Sequence, residues 1–203
     1  ENKIETAFFR GAATGRLNKI SSGVYNNQRI KIAKISYDWS IDDERKHLLD
    51  AGLTSWNLSD KIDSGGFVYY IIPSELEAIG VKIKKKIPMN EQVCYKYLID
   101  IIGHTHSNRG NWILKSGCLM LSVESLYNDY TWTHNNLKPW KHYVPIKSDL
   151  SDLEEKILWC KSNDDECKKI VKRAQEFAKL YYNKETICTY YAYLMNRIAS
   201  NKA

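Results

Sequence analysis

The stretch KYLIDIIGHTHSNRGNWILKSG, residues 96–117, decides the fold of this chain. It starts with an apolar run typical of a buried strand, which ends at Gly103, and continues through a polar turn that carries Ser107 and Arg109. A helical pattern follows and stops at Gly117. Glycine lets a ligand approach the backbone, a helix N-terminus offers free N–H groups, and arginine adds a bidentate positive charge. The stretch therefore predicts a strand, a turn and a helix that hold a phosphate.

The segments around this stretch alternate between helix and strand. Helices are predicted at 90–95 and 107–116, and strands at 97–102, 118–123 and 143–146. Such alternation is typical of a parallel sheet with helices on its faces. The remainder is predicted to be helical, with one helix that begins at Asp149 or Ser151 and two that cover 164–180 and 184–198. Ser151 and Glu154 have the spacing of a capping box at the first of these helices.

The N-terminal part has a less regular pattern. A strand is predicted at 3–10, running into a loop at 11–15, and period-two patterning predicts another strand at 29–37. Residues 42–49 have acidic residues first and basic ones later, with Gly52 beyond them, which predicts a helix. Residues 57–89 are interpreted as a variable insertion, in which Pro73 opens a short helix.

Composition indicates one folded domain. The 203 residues are 43% hydrophobic, 27% charged and 12% aromatic. The net charge of +6 would suit a polyanion, but the basic residues are dispersed apart from a run at 82–86, so a solvated face is favoured over a nucleic-acid patch. Five cysteines without CxxC spacing indicate neither a disulfide framework nor a zinc site. No apolar run approaches the roughly 20 residues of a membrane span.

Several motifs together resemble one known family. They are FFRGAATG at 8–15, NNQRIKIAKIS at 26–36, KYLIDIIG at 96–103 followed by SNR and LKSG, LKPWKHYVPIKSDLSDLEEKI at 137–157, and NDDECKKIVKRAQEFAKLYY at 163–182. In this order they resemble the capsule-associated-protein-like glycosyltransferases. That family includes the protein O-glucosyltransferases and xylosyltransferases of animals and the capsule-associated xylosyltransferases of fungi. The resemblance runs from about Phe8 to Ile198, and the LKPWxHYxP and DLSDLEE combination is its most specific part.

The resemblance implies a fold and a place within a larger enzyme. It implies an α/β, Rossmann-like parallel sheet with helices on both faces and a helical C-terminal region, which is the nucleotide-sugar domain of a GT-B glycosyltransferase. Residues 1–203 would form this single donor-binding domain, the C-terminal half of the enzyme. The catalytic base of the family is an aspartate of the N-terminal half, and no residue here matches it. The base is therefore expected outside this chain, with three alternatives: a partner chain supplies the acceptor-binding half, the sequence is part of a longer chain, or the protein binds without catalysing.

The resemblance also implies donor-binding residues. Arg10 and Arg109 would stabilise the charge that develops on the leaving diphosphate, a task that GT-B enzymes perform without a metal or another cofactor. Its place at the sheet edge adds Glu124, after the strand at 118–123, whose carboxylate could accept the ribose hydroxyls or could be an acid at a helix start. The expected donor-binding residues are Arg10, Gly11, Thr14, Gly15, Gly103, Ser107, Arg109 and Glu124.

Other candidates have two interpretations each. Arg29 matches a family position before a predicted strand, and structural anchoring is favoured for it. Trp132, His142 and Tyr143 could shape a sugar or base pocket, whereas Trp140 with Pro139 is expected to serve packing. His104 and His106 form an HxH pair, but a metal site is not favoured because no third ligand is near in sequence.

The function implied is transfer of a sugar from a UDP-hexose or UDP-xylose to a glycan or protein hydroxyl, with inversion. The alternative is a non-catalytic nucleotide-sugar-binding domain that needs or regulates a separate acceptor-domain partner. Binding of nucleic acid is a third, disfavoured hypothesis that rests on the net charge of +6 alone. The sequence assigns no compartment: a viral origin would favour the cytoplasm, and a secretory homologue the lumen of the endoplasmic reticulum or Golgi.

Overall fold

The computed structural model describes residues 3–15, 27–58, 61–62, 68–69, 71–104, 108–125 and 136–200. Strands and helices alternate along the chain. In order they are β1 (Ile4–Gly11), α1 (Gln28–Ser40), β2 (Leu49–Leu53), β3 (Lys61–Ile62), β4 (Val68–Tyr69), α2 (Pro73–Ala78), α3 (Met89–Gln92), β5 (Tyr95–Asp100), α4 (Arg109–Ile113), β6 (Leu119–Val123), β7 (Val144–Ile146), α5 (Leu153–Ser162), α6 (Asp164–Tyr181) and α7 (Lys184–Ser200).

Five strands form one parallel sheet in the order β2-β1-β5-β6-β7. β1 lies inside the sheet, and the chain adds β2 on one side of it and then β5, β6 and β7 on the other. The strand order therefore reverses between β1 and β5, which makes the carboxyl ends of these two strands the topological switch point. β3 and β4 form a separate two-stranded antiparallel sheet. The expected Rossmann-like fold is confirmed.

Helices cover both faces of the sheet. On one face, Ala7 and Phe9 of β1 belong to a buried cluster that includes Ile32 of α1 and Ile157 of α5. On the other face, Phe8 belongs to a second cluster, which contains residues of β5, β6, α4 and α6. Neighbouring residues of β1 point to opposite faces, and both are buried, as expected for a strand in the middle of a parallel sheet.

The first correction concerns residues 29–37, which form part of helix α1 and not a strand. Asn27 is the N-cap, and its side-chain oxygen accepts hydrogen bonds from the backbone N–H groups of Arg29 and Ile30 at 3.0 and 3.1 Å. Ile30 and Ile32 are both fully buried, in different clusters. A helix that is buried over a wide arc places apolar residues two apart, which imitates the period of a strand.

The second correction concerns residues 42–49, where 43–48 form turns and Leu49 begins a strand instead of the expected helix. Strand β2 begins at Leu49 and contains Gly52, the residue interpreted as the signal for a helix end. β2 pairs in parallel with β1, with Asp50 opposite Phe8. The order of charges in residues 42–46 imitates a helix dipole, but turn hydrogen bonds to Asp42 and burial of β2 determine the structure.

The C-terminal helices are confirmed with small shifts of their bounds, whereas the expected capping box is wrong. Helix α5 begins at Leu153 with Asp152 as N-cap and without a side-chain capping bond. Ser151 is instead held by its backbone N–H, which donates to Asp149 Oδ1 at 3.0 Å. Helix α7 has no buried residue. Among the described helices, none combines the length and apolar character that crossing a membrane requires.

Candidate functional site

The crevice expected at a topological switch point lies where β1 and β5 stop pairing. The described register between these strands ends at Phe8 opposite Leu98, although β1 continues to Gly11 and β5 to Asp100. The loops that follow both strands therefore leave the sheet at the switch point. Ligands of open parallel sheets bind in such a crevice.

Arg29 holds the two loops together from the first turn of α1. Its Nη1 group donates to Thr14 Oγ1 at 2.6 Å and to the Ala12 carbonyl at 3.2 Å, both after β1. Its Nε and Nη2 groups donate to the carbonyls of Ile102 at 3.0 Å and Ile101 at 2.8 Å, both after β5. The guanidinium is 9% exposed, so these bonds satisfy a charge that burial would otherwise destabilise. The favoured interpretation of Arg29 as an anchor agrees with this geometry.

Two of the expected glycines, Gly15 and Gly103, lie so close to Asn27 and Arg29 that a side chain would not fit. A Cβ atom on Gly103 would lie 2.7 Å from Thr14 Oγ1 and 3.2 Å from Arg29 Nη2. Gly15 has φ of +117° and would place a Cβ atom 3.0 Å from the Asn27 amide nitrogen. The structure thus brings Thr14, Gly15 and Gly103 together around Arg29.

Arg109 reaches the same crevice from the start of α4. Its Nη2 group donates to the carbonyl of Arg10 in β1, at the level where pairing with β5 has ended. Its Nη1 group donates to Gln92 Oε1 at 3.2 Å. Its Cζ atom lies 5.0 Å from the centre of the Phe9 ring, and Arg29 Cζ lies 5.7 Å from the same ring. Two guanidinium groups therefore flank one aromatic side chain at the switch point.

The electrostatics of the crevice follow from burial of these two cations. Burial, and to a smaller extent the positive charge of Arg109, lower the pKa of Arg29 to about 10. Burial also lowers the pKa of Arg109. The carboxylate of Asp100, at the end of β5, acts in the opposite direction on both arginines. Both remain cations at neutral pH, and an anion placed beside them would be stabilised.

The side chain of Arg10 points toward β2 and not toward the crevice. Its Nη2 group makes a bidentate bond to Asp50 Oδ1 and Oδ2 at 2.9 and 2.8 Å, and its Cζ atom lies 4.7 Å from the centre of the Phe8 ring. Asp50 also pairs with Lys84 at 2.9 Å. Phe8 and Asp50 lie closer to the amino ends of their strands than Arg10 does, so the guanidinium points away from the crevice. The backbone carbonyl of Arg10 lies at the crevice, and its charged group pairs with β2.

Glu124 lies at the carboxyl end of β6, one strand further along the sheet, and its side chain is exposed. Its carbonyl accepts a bond of 2.9 Å from the Gln28 amide, which also donates to the carbonyl of Ser148 at 2.8 Å. Gln28 therefore ties the start of α1 to the ends of β6 and β7.

Gly11 also lies near Arg29, because a Cβ atom on it would be 3.4 Å from Arg29 Nη1.

Some expected positions lie outside the described residues. These are Ser107, His106 and Trp132. His104 is described, and its Nε2 atom lies 2.7 Å from the side-chain amide of Asn57. Within the described ranges, no three His, Cys, Asp or Glu side chains gather as a metal site would need.

The aromatic residues before β7 pack away from the crevice. Trp140 stacks edge-on against Trp159 of α5, with ring centres 4.8 Å apart, in agreement with the packing role expected for it. His142 is buried against Phe177 of α6, and its Nδ1 atom accepts from the backbone N–H of Lys138 at 2.9 Å. Burial lowers the pKa of His142, and neighbouring cations lower it further. For Tyr143, burial raises the pKa, and the charge of Glu124 raises it further.

Several contributing residues were not singled out from the sequence. They are Phe9, Gln28, Asp50, Gln92 and Asp100. Asp100 carried a usable signal, since an acidic residue at the end of an apolar strand lies at the ligand-binding edge of a parallel sheet. Gln28 and Asp50 carried no such signal. Each borders a segment that was assigned the wrong structure, residues 29–37 and 42–49 respectively.

The strand order and the position of this crevice define a Rossmann-like domain. The structure of TarM superposes with a TM-score of 0.59 over 97% of this chain and 36% of that chain, at 12% identity. Sucrose-phosphate synthase from Thermosynechococcus elongatus gives a TM-score of 0.56 over 97% of this chain and 46% of that chain, at 11% identity. The model of glycosyl transferase family 90 matches residues 1–201, and the chain belongs to this family.

Two relatives illustrate how the chain relates to longer proteins. It is 39% identical over 204 residues to uncharacterized protein 179R of Invertebrate iridescent virus 6, covering 98% of this chain and 17% of that protein. It is 30% identical over 202 residues to human protein O-glucosyltransferase 3, covering 100% of this chain and 33% of that protein. The chain therefore spans a sixth to a third of these relatives. The resemblance to the capsule-associated type of glycosyltransferase is confirmed.

Proposed function

We propose that this chain is the donor-binding domain of a glycosyltransferase and holds a UDP-sugar, a UDP-hexose or UDP-xylose, in the crevice between β1 and β5. The proposal rests on one observation above all. Arg29 and Arg109 place two buried positive charges 5.7 and 5.0 Å from the centre of the same Phe9 ring, next to the point where pairing between these strands ends. A diphosphate is a ligand that can share two such charges.

The two arginines have different roles at the crevice. Arg29 uses its N–H groups on four protein acceptors, so it fixes the loops and contributes charge at a distance. Arg109 stands at the start of α4 and would contact the diphosphate, where it would stabilise the negative charge that develops as the sugar leaves. Glu124 would accept the ribose hydroxyls. Arg10 is proposed to support the sheet through Asp50 and not to contact the diphosphate.

The acceptor side of the reaction lies outside the chain in this proposal. Residues 1–203 form the donor domain, with 57–89 as a variable insertion, and a separate acceptor-binding domain supplies the base that deprotonates a glycan or protein hydroxyl. Transfer would proceed with inversion and without a metal. Protein O-glucosyltransferase 3, as a family member that contains the matched region as 33% of its length, supports such a division.

A titration followed by an assay tests this proposal. UDP should bind the purified chain with one-to-one stoichiometry in calorimetry, and UDP release from a UDP-sugar should require an acceptor domain added in trans. Binding without release under every pairing would favour the alternative, a nucleotide-sugar-binding domain that regulates a partner. Failure of UDP and UDP-sugars to bind at millimolar concentration would contradict both.

A further inference from the structure

A second cavity lies at the opposite edge of the sheet. It has a volume of about 670 Å³ and is lined by residues at the amino ends of β1, β5 and β6 and by one face of α6. One strand length, about 17 Å for five residues, separates this edge from the crevice. The size lies within the range of small-molecule sites in proteins. A ligand here would not touch the crevice residues.

The floor of this amino-edge cavity is apolar. Tyr97, Leu119 and Cys167 line it and are 0%, 2% and 3% exposed. Val171, one turn after Cys167 on α6, is half-buried beside them. Because the three buried residues expose almost no surface, Val171 supplies the apolar surface that the carbon skeleton of an organic molecule can cover.

The rim carries more positive than negative charge. Both acidic side chains of the lining, Glu5 and Asp164, are bound by Lys96, at 2.5 and 2.7 Å. Asp164 also pairs with Lys168 at 2.8 Å. These carboxylates are therefore already neutralised by cations of the same rim.

Two further lysines remain available. Lys3 donates to the carbonyl of Gly117 at 3.2 Å and to Cys118 Sγ at 2.9 Å, neither of which is a carboxylate. Lys172 is exposed on α6, and within the described part of the chain it has no hydrogen bond or ion pair. Gln175 adds an amide at the next position along the same helix face.

We propose that the amino-edge cavity binds a small organic phosphate, with the phosphate between Lys3 and Lys172 and the carbon skeleton on Val171. The rim offers ammonium and amide donors, and a phosphate ester supplies three acceptor oxygens and about two negative charges. Contact with Val171 favours a phosphate ester over inorganic phosphate, because the inorganic ion has no carbon skeleton to cover that side chain. This site is separate from the proposed donor site and does not depend on it.

Calorimetry with 4-nitrophenyl phosphate tests the proposal on the 203-residue chain. One binding site is expected, with inorganic phosphate at least about tenfold weaker because it gains no apolar contact. Lys172→Met and Lys3→Met should each weaken binding by about tenfold or more. Lys172 is exposed, so its variant should keep the unfolding temperature of the parent, which thermal melting checks.

Two controls locate the binding. Lys85→Met removes an exposed lysine elsewhere and should change affinity by less than about twofold, since a distant exposed charge is screened. Arg109→Ala, at the opposite edge, should also leave it unchanged. The proposal is overturned if the probe does not bind, if inorganic phosphate binds equally well, if Lys85→Met weakens binding as much as Lys172→Met, or if Arg109→Ala abolishes it. It is equally overturned if only an acidic peptide, and not the phosphate probe, binds in a Lys172-dependent way.

Discussion

Arg29 Nη1 lies 2.6 Å from Thr14 Oγ1, and the same guanidinium donates to both carbonyls that follow β5. One side chain of α1 therefore sets the separation of the two loops that border the crevice. We predict that Arg29→Met lowers stability by about 2–4 kcal/mol, because it leaves buried carbonyls without donors. Urea unfolding followed by circular dichroism measures this.

Thr14→Val is a smaller change at the same contact than Arg29→Met. It removes one acceptor of Arg29 and keeps the shape of the side chain, so we expect a loss of about 1 kcal/mol. If Arg29→Met unfolds at the same urea concentration as the parent, Arg29 is not the anchor of these loops.

Arg109→Ala should weaken UDP binding by about 1.5–3 kcal/mol, because it removes a charge-assisted hydrogen bond to the diphosphate. Calorimetric titration with UDP measures the change. Arg45→Ala is the matched control, since Arg45 pairs with Glu154 on the surface and not at the crevice. Equal affinities of a folded Arg109→Ala protein and the parent would contradict the role of Arg109.

Arg10→Met should act on stability more than on UDP affinity. Arg10 is 9% exposed and makes two bonds to the Asp50 carboxylate, so its loss should cost about 1–3 kcal/mol. The affinity of the folded variant for UDP should stay within about twofold of the parent. A large loss of affinity at unchanged stability would restore Arg10 as a contact of the diphosphate.

The ion pair of Arg10 and Asp50 predicts that the stability of the protein depends on pH. Burial alone would raise the pKa of Asp50, but bonds from Arg10 and Lys84 outweigh it, and the pKa is lowered from 3.8. A carboxyl whose pKa is lower in the folded state stabilises the protein above its unfolded pKa, and this contribution disappears as pH falls through the folded pKa. The stability difference between parent and Arg10→Met should therefore be larger at pH 7 than at pH 3.

Asp100→Asn should change the charge of the crevice while keeping the size of the side chain. The carboxylate raises the pKa of Arg29 and of Arg109 against the effect of burial. Without it, the two buried cations repel each other with less compensation, so we expect a loss of about 1–3 kcal/mol in stability. Added UDP should recover more stability in this variant than in the parent, as thermal melting at saturating UDP would show. Equal shifts in both proteins would contradict this coupling.

The central strands and the C-terminal helices could be predicted because their patterns are local. The apolar runs of β5 and β6 and the amphipathic pattern of α6 identify their structure without reference to the rest of the chain. Helix α1 could not be read in this way, since Ile30 and Ile32 pack into different clusters. Asn27 was the missed signal, because it caps the helix at its first turn.

The candidate site was predictable in its position but not in its detail. Gly103 and Arg109 lie beside the crevice, since a strand, a turn and a helix fix them within a few residues. The partner of the Arg10 side chain is Asp50, a residue of β2, and β2 was not predicted from the sequence. Long-range pairing of this kind leaves no mark on the sequence near Arg10.

The placement of β1 inside the sheet has a consequence for how the protein folds. Ile4 pairs with Tyr95 across nearly half of the chain, and parallel pairings so distant in sequence form slowly. Because Arg29 needs carbonyls from the loops after both β1 and β5, the crevice is assembled only once that pairing exists. Stopped-flow refolding should therefore show UDP binding returning with the slowest phase, after most helical signal has formed. With the proposed function, the site would report completion of the fold, and a partly folded chain would hold no nucleotide.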